Sequence, residues 1–367
     1  MSIFATRRTR AAKLLKKAGL GAAAFVPGPN FAYLTGVHLH LMERPTLFVL
    51  TAEGDIFAMM PALERQKWGD ALPEAETIYW TDEDGPEAAF TALADTLGPS
   101  LPLGVEGLRM RASEYRALAG HLGADALVDA DPALAELRLV KDAEEIAQLR
   151  RAVEISEQAL GEVFDAGVGG RTGHDIAGRL KAAMLAHGAI GFAFEPIVLS
   201  GGEAANPHGD VSDRVVSPGD PLLIDFGASW GDMHADITRT AFCGHASDAH
   251  AAVYDTVREA NARGRDAVRS GAPVGAVDDA ATGVLEASPF SDLILHKTGH
   301  GLGREVHEVP PVMRKNGDPQ RAGMVFTIEP GLYRAGDIGV RIEDDVVVTD
   351  TGCDCLTSFT RELVILD

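Results

Sequence analysis

The sequence predicts two domains, a smaller α/β domain over residues 1–132 and a larger α+β domain over 133–367, and three observations predict them. At 367 residues the chain is longer than a usual single domain. Its first third alternates helix-period with strand-period segments. The remainder carries two similar strand-turn-strand segments, each built around an acidic residue in an apolar run.

Composition narrows the function classes. Hydrophobic residues at 46% and charged residues at 24% are ordinary for a soluble globular chain and exclude disordered, collagen-like and small disulfide-scaffold proteins. Lys+Arg total 33 against 54 Asp+Glu, a net charge of -21, which argues against nucleic acid as a partner because phosphates need a basic face. Cys243, Cys353 and Cys355 are odd in number and too few for a disulfide framework, so a reducing cytoplasm is expected. Cys353 and Cys355 lack a second Cys/His pair at zinc-site spacing.

Taken in order, residues 6–18 read as a surface helix with leucines inward and basic residues solvated. The short apolar run 20–26 resembles the start of a signal peptide, but Pro27, Gly28 and Pro29 break it and no small-residue cleavage site follows. No stretch reaches the ~18 consecutive apolar residues of a membrane span, so neither export nor a membrane partner is expected. Residues 31–34, 46–50 and 55–60 read as strands, and 88–97 and 112–122 as amphipathic helices. His38, His40 and Glu43 lie close together in a loop, where a histidine pair is more often structural than metal-binding. A turn signal at Asp131-Pro132 marks the domain boundary. Residues 141–164 then carry Ile146, Leu149, Val153, Ile155, Leu160 and Val163 among charges, as a long amphipathic helix does.

The second domain contains an internal echo. Gly219 precedes Asp225 by six residues, and Gly323 precedes Glu329 by the same interval. Asp236 follows Asp225 across a turn at Trp230-Gly231-Asp232, and Glu343 follows Glu329 across one at Ala335-Gly336-Asp337. Two hairpins would bring these carboxylates together.

A carboxylate flanked by Leu, Ile, Phe and Val is expensive to bury as an ion unless a cation meets it. Four such groups converging repel one another, and a dinuclear metal centre removes the conflict. Oxygen ligands with one or two imidazoles suit Mn²⁺, Co²⁺, Fe²⁺ or Zn²⁺. The imidazole is expected from 296–308, where His296, His300 and His307 fall among glycines that allow close backbone approach. That segment reads as a poor core strand and a good active-site floor.

With these residues in place, the chain from about 140 to 367 resembles the pita-bread metallopeptidases, the group of Xaa-Pro dipeptidase (prolidase), aminopeptidase P and methionine aminopeptidase. It looks closest to the bacterial prolidases, and the first domain resembles their creatinase-like N-terminal domain. The resemblance implies that Asp225, Asp236, His300, Glu329 and Glu343 hold two divalent metal ions per subunit, Mn²⁺ before Co²⁺ or Zn²⁺. Asp236 and Glu343 would contact both ions, Asp225 would chelate one, and His300 with Glu329 would complete the other. His208 looks like the histidine on the substrate-facing loop, His307 like the one contacting the scissile carbonyl, and His296 like the one near the substrate's carboxyl end. Arg341 resembles the arginine beside the ligands.

The implied chemistry is hydrolysis of an Xaa-Pro bond by a metal-bridging hydroxide, with Glu329 shuttling the proton to the prolyl nitrogen and His307 or His208 donating to the oxyanion. Dipeptides are the expected substrates. Aminopeptidase P acting on longer peptides, or another metal-dependent amide hydrolase of this fold, is the alternative. A non-catalytic binding relative would lack several ligand positions, and here none is missing. Arg44, Arg334, Arg341 and His296 are candidate contacts for a substrate carboxylate. The resemblance also implies a homodimer.

Overall fold

The computed structural model describes residues 2–98 and 102–367, and the chain separates into two compact units, the first ending at Arg138 and the second beginning at Leu139. Asp131 and Pro132, expected to mark a boundary turn, open a short helix, Asp131–Leu134. Leu134 and Leu137 then join the first unit's core, which places the division further along the chain.

The first unit is a six-stranded sheet in the order Glu76–Trp80, Ile56–Pro61, Leu47–Thr51, Ala22–Phe25, Leu103–Val105, Leu127–Asp129. The apolar run at 20–26 supplies its strand Ala22–Phe25, antiparallel to Leu47–Thr51 and parallel to Leu103–Val105. Side chains alternate between faces. Ala22, Ala24, Leu47 and Val49 pack on one face with Phe90 and Leu93, while Ala23, Phe25, Phe48 and Leu50 pack on the other with Phe31 and Trp68. Both faces are covered, which explains why these strands read as continuous apolar runs.

Two expectations fail here. Residues 31–34 lie in a helix, Pro29–Thr35, because Pro29 starts the turn and Gly36, at φ 74°, ends it; a four-residue apolar run fits a buried helix as well as a strand. In the helix Ile3–Lys17, Arg7 is buried rather than solvated, its guanidinium 4.1 Å from the Tyr33 ring centroid. Among the described residues no helix is long and apolar enough to cross a membrane.

The second unit is two helix-pair-plus-hairpin layers. The helix Ala143–Asp165 starts on a reciprocal cap: Asp142 accepts from the Glu145 amide at 2.9 Å, and Glu145 accepts from the Asp142 amide at 3.2 Å. Leu149, Val153 and Leu160 turn inward with Leu180 and Met184 of the helix Gly173–Ala186 onto the strand Pro221–Phe226. That strand pairs antiparallel with Ile237–Cys243, setting Asp225 opposite Thr238. Beyond them a smaller hairpin, Ala228–Trp230 with Met233–His234, turns at Gly231, where φ is 60°.

The second half repeats this plan. Helices Asp248–Asp266 and Gly275–Ala287 precede Val325–Ile328, which pairs antiparallel with Asp344–Thr349, and the outer hairpin is Gly331–Arg334 with Ile338–Arg341. Asp236, Glu329 and Glu343 all fall where an inner strand pair gives way to an outer hairpin, so the ladder is interrupted beside each carboxylate.

Candidate metal centre and active site

Each carboxylate reaches the site from a different backbone position. Asp225 points from the strand Pro221–Phe226, and Asp236 precedes the strand Ile237–Cys243. Glu329 follows Val325–Ile328, its amide bonded to the Thr298 carbonyl at 2.7 Å. Glu343 precedes Asp344–Thr349, its amide bonded to the Thr238 carbonyl at 3.1 Å. His300 lies on the strand Gly299–Gly301, which is buried in a five-stranded sheet. The histidine segment thus forms both a core strand and the cavity floor, against the expectation that it would make a poor strand. Its glycines permit this: a Cβ at Gly299 would lie 2.1 Å from the Thr327 carbonyl oxygen, and one at Gly301 2.1 Å from that of Val309.

Ligand-capable atoms of Asp236, His300 and Glu343, all buried, lie within 4.8 Å of one another. His300 Nε2 is 3.5 Å from Glu329 Oε1 and 3.6 Å from Asp236 Oδ2. Its Nδ1 lies 3.1 Å from the Gly301 carbonyl, which can only accept, so Nδ1 carries the proton and Nε2 offers a lone pair to the cavity. Burial, with His307 beside it, pulls the His300 imidazole down to about 3, keeping it neutral. Burial and neighbouring carboxylates push the Asp236 and Glu343 carboxyls well above their usual range, and burial lifts Glu329 to about 7. Asp225 Oδ1 is buried without a hydrogen-bond partner.

These observations meet the requirements of a divalent cation site: hard oxygen donors, one neutral imidazole, an orphaned carboxylate oxygen and four converging carboxyl groups against the single guanidinium of Arg341. Among the described residues no cysteine lines the cavity, which disfavours a structural zinc cage.

The ligand-capable residues line a cavity of about 670 Å³ together with His208, His296, His307 and Arg341. His307 stands edge-on to His300, ring centroids 4.1 Å apart, while His208 is exposed on the loop after the short helix Gly201–Ala205. Arg341 is tied on all sides. It donates to Asp225 Oδ2, to Thr238 Oγ1 at 3.0 Å, to Tyr333 Oη at 3.0 Å and to the Pro207 carbonyl at 3.4 Å, so one guanidinium joins a carboxylate of the cluster to the His208 loop.

Tyr333 continues this chain to His296, whose Nε2 lies 2.8 Å from Tyr333 Oη and whose Nδ1 donates to the Lys297 carbonyl at 2.8 Å. Both His296 nitrogens are therefore engaged, and burial lowers its imidazole to about 4. Arg334, considered as an anion contact, pairs instead with Asp337 at 3.2 Å on its own hairpin and does not line the cavity. Arg44 belongs to the first unit, where it grips Asp82 through two bonds of 2.8 and 2.7 Å.

Sequence reasoning did not single out Thr238, Tyr333, Asp345 or Lys297. Thr238 donates to Glu343 Oε2 at 2.6 Å, and Asp345 Oδ2 accepts the Asp236 amide at 3.1 Å. A signal for Thr238 was present, since it stands two residues beyond Asp236 and the strand repeats every two residues. Tyr333 had none, because nothing local distinguishes it from a core aromatic.

Comparison with known proteins accords with this geometry. Residues 147–350 match the model of metallopeptidase family M24, and residues 7–140 match that of the creatinase/prolidase N-terminal domain. The chain is 33% identical to the probable dipeptidase PepE of Mycobacterium tuberculosis, over 99% of this chain and 97% of that one. Among solved structures, a recombinant prolidase from Thermococcus sibiricus superposes with a TM-score of 0.93 at 33% identity, covering 100% of both chains. An X-Pro aminopeptidase from Thermotoga maritima gives 0.84 at 29% identity, covering 98% of this chain and 99% of the other.

Proposed function

The chain belongs to metallopeptidase family M24, with a creatinase/prolidase N-terminal domain, and from that premise we propose that it hydrolyses the Xaa-Pro bond of dipeptides. The observation that carries the reading is the grouping of Asp225, Asp236, His300, Glu329 and Glu343 on one cavity with His208 and His307. Its volume of about 670 Å³ suits a small ligand.

Two divalent ions are assigned to those five side chains, Mn²⁺ ahead of Co²⁺ and Zn²⁺ because oxygen donors dominate the set. Such ions supply Lewis acidity at a carbonyl and bring the pKa of water down towards ~7. The protein's own groups do the rest. Glu329, at the cavity edge of its strand, takes the proton of the attacking water and delivers it to the prolyl nitrogen, which must be protonated before the tertiary amide breaks. His307, which burial keeps neutral, and His208 offer N–H groups to the developing oxyanion. Arg341 and Thr238 hold Asp225 and Glu343 in orientation.

Product analysis tests this with chelator-stripped protein, with and without Mn²⁺, on Met-Pro and Met-Pro-Ala. Metal-dependent release of proline from the dipeptide alone supports a prolidase. Cleavage of the tripeptide moves the assignment to aminopeptidase P, the reading that the Thermotoga relative favours. Cleavage of neither would sink both. The proposal includes a cytoplasmic homodimer, checked by light scattering and cell fractionation.

A further inference from the structure

A dipeptidase must recognise a free carboxylate beside the scissile bond, so some cation has to face the cavity with its charge uncommitted. The basic groups near it can be taken in turn. Arg341 has its charge paired with Asp225 and also donates to Thr238, Tyr333 and Pro207. Lys141 is buried against Glu308 at 3.2 Å, and Arg304 bridges Glu145 and Asp232 at 3.3 and 2.8 Å. His296 is neutral with both nitrogens engaged. Lys297 differs from all of these. It lines the cavity, is exposed, and forms no ion pair with any described carboxylate.

Its backbone is also held rigidly. The next residue, Thr298, is clamped to Asp278 Oδ1 through its amide at 3.1 Å and its hydroxyl at 2.6 Å, while its carbonyl accepts from the Glu329 amide at 2.7 Å. Lys297 therefore springs from a fixed point beside the carboxylate cluster.

Resting on the dipeptidase reading above, we propose that the Lys297 ammonium receives the terminal carboxylate of the substrate's proline and so sets the preference for dipeptides. A plainer role, offsetting the negative charge of the cavity, would affect charged and neutral substrates alike. The two roles are separable.

The test compares Met-Pro with Met-Pro-amide, which has the same scissile bond but a neutral end, on the Mn²⁺-loaded wild type, Lys297→Met and Lys297→Arg. The wild type should prefer the acid. In Lys297→Met the acid-to-amide ratio of kcat/KM should fall about 10- to 100-fold, the size of one lost charge-assisted contact, with the loss in KM. Lys297→Arg should restore most of the ratio. Inhibition by free proline relative to prolinamide should weaken in parallel, and unchanged melting and metal content would exclude misfolding. If the wild type prefers the acid but Lys297→Met keeps the full ratio, Lys297 is not the receptor and the dipeptidase reading stands. If the wild type shows no preference for the acid, that reading fails and this inference with it.

Discussion

Replacing Arg239 with methionine should destabilise the catalytic unit severely although Arg239 does not line the cavity. All five of its N–H groups are used: to the carbonyls of Thr360 at 2.9 Å, Thr238 at 2.9 Å, Glu343 at 2.6 Å and Phe359 at 2.9 Å, and to Asp344 Oδ1 at 2.8 Å. Both partners of the ion pair are buried. Breaking a buried pair by removing one member costs about 3–5 kcal/mol. Asp344 retains Arg361 at 2.6 Å, which softens the loss, but four carbonyls lose a donor, so about 4 kcal/mol is expected. For a unit of this size that corresponds to a fall of about 8–16 °C in Tm, measurable by calorimetry. Lysine has three donors on one atom and cannot span three separate chain segments, so Lys should recover only part of the loss.

The pH dependence of this effect has a definite sign. Burial alone would raise the Asp344 carboxyl, but Arg239 and Arg361 hold it below its usual range. A depressed carboxyl contributes stability that is present above the unfolded pKa and lost as pH falls through the folded one. The difference between wild type and Arg239→Met should therefore shrink on acidification below about pH 4. A Tm fall of less than about 2 °C for both variants would refute the reasoning, because it would mean these groups find water as easily as they find Arg239.

Three further outcomes are expected. Glu106 is buried in the first unit, accepting from the Val26 amide and Asn30 Nδ2, each at 3.0 Å, and burial lifts its carboxyl from 4.5 to about 7. The folded state then binds the extra proton, so stability should be lost as pH rises from about 4.5 through 7, and Glu106→Gln should flatten that slope; parallel Tm curves from pH 5 to 8 would contradict it. Gly339→Ala would set a Cβ 1.7 Å from the Ala204 carbonyl oxygen, forcing backbone apart beneath the loop that carries His208, and should lower stability by about 1–3 kcal/mol in urea titrations; a silent substitution would count against the packing described. Glu343→Gln should abolish metal-dependent cleavage and lower bound metal by elemental analysis, whereas retained stoichiometric metal would remove Glu343 from the ligand set.

Much of the site was legible because its oddities are local. A carboxylate between Leu, Ile and Phe, as at Asp225, is anomalous wherever the strand goes, and the matching glycine-to-carboxylate interval before Glu329 exposed the repeat without any knowledge of packing. Histidines set among glycines in 296–307 were equally conspicuous. What the local pattern left open was set by long-range contacts. Residues 31–34 became helix because Pro29 and Gly36 bracket a run whose burial suits either structure, and the apolar segment at 20–26 became an internal strand only because partners lie on both sides of it.

The same division separates the site's ligand-capable side chains from their supports. Local context in the sequence by itself marked Asp225, Asp236, Glu329, Glu343 and the histidines of 296–307 as candidates for holding a cation, since the cost of burying an unpaired charge is carried by each residue's immediate neighbours, while the choice of His300 among them rested on the family resemblance. Only the tertiary structure decided that Arg341 pairs with Asp225, that Tyr333 joins it to His296, and that Lys297 lines the cavity without an ion pair to any described carboxylate. A hydrogen-bond partner over a hundred residues away, such as Asp225 for Arg341, leaves no periodic trace in the chain; it exists only once folding has brought the two strands together.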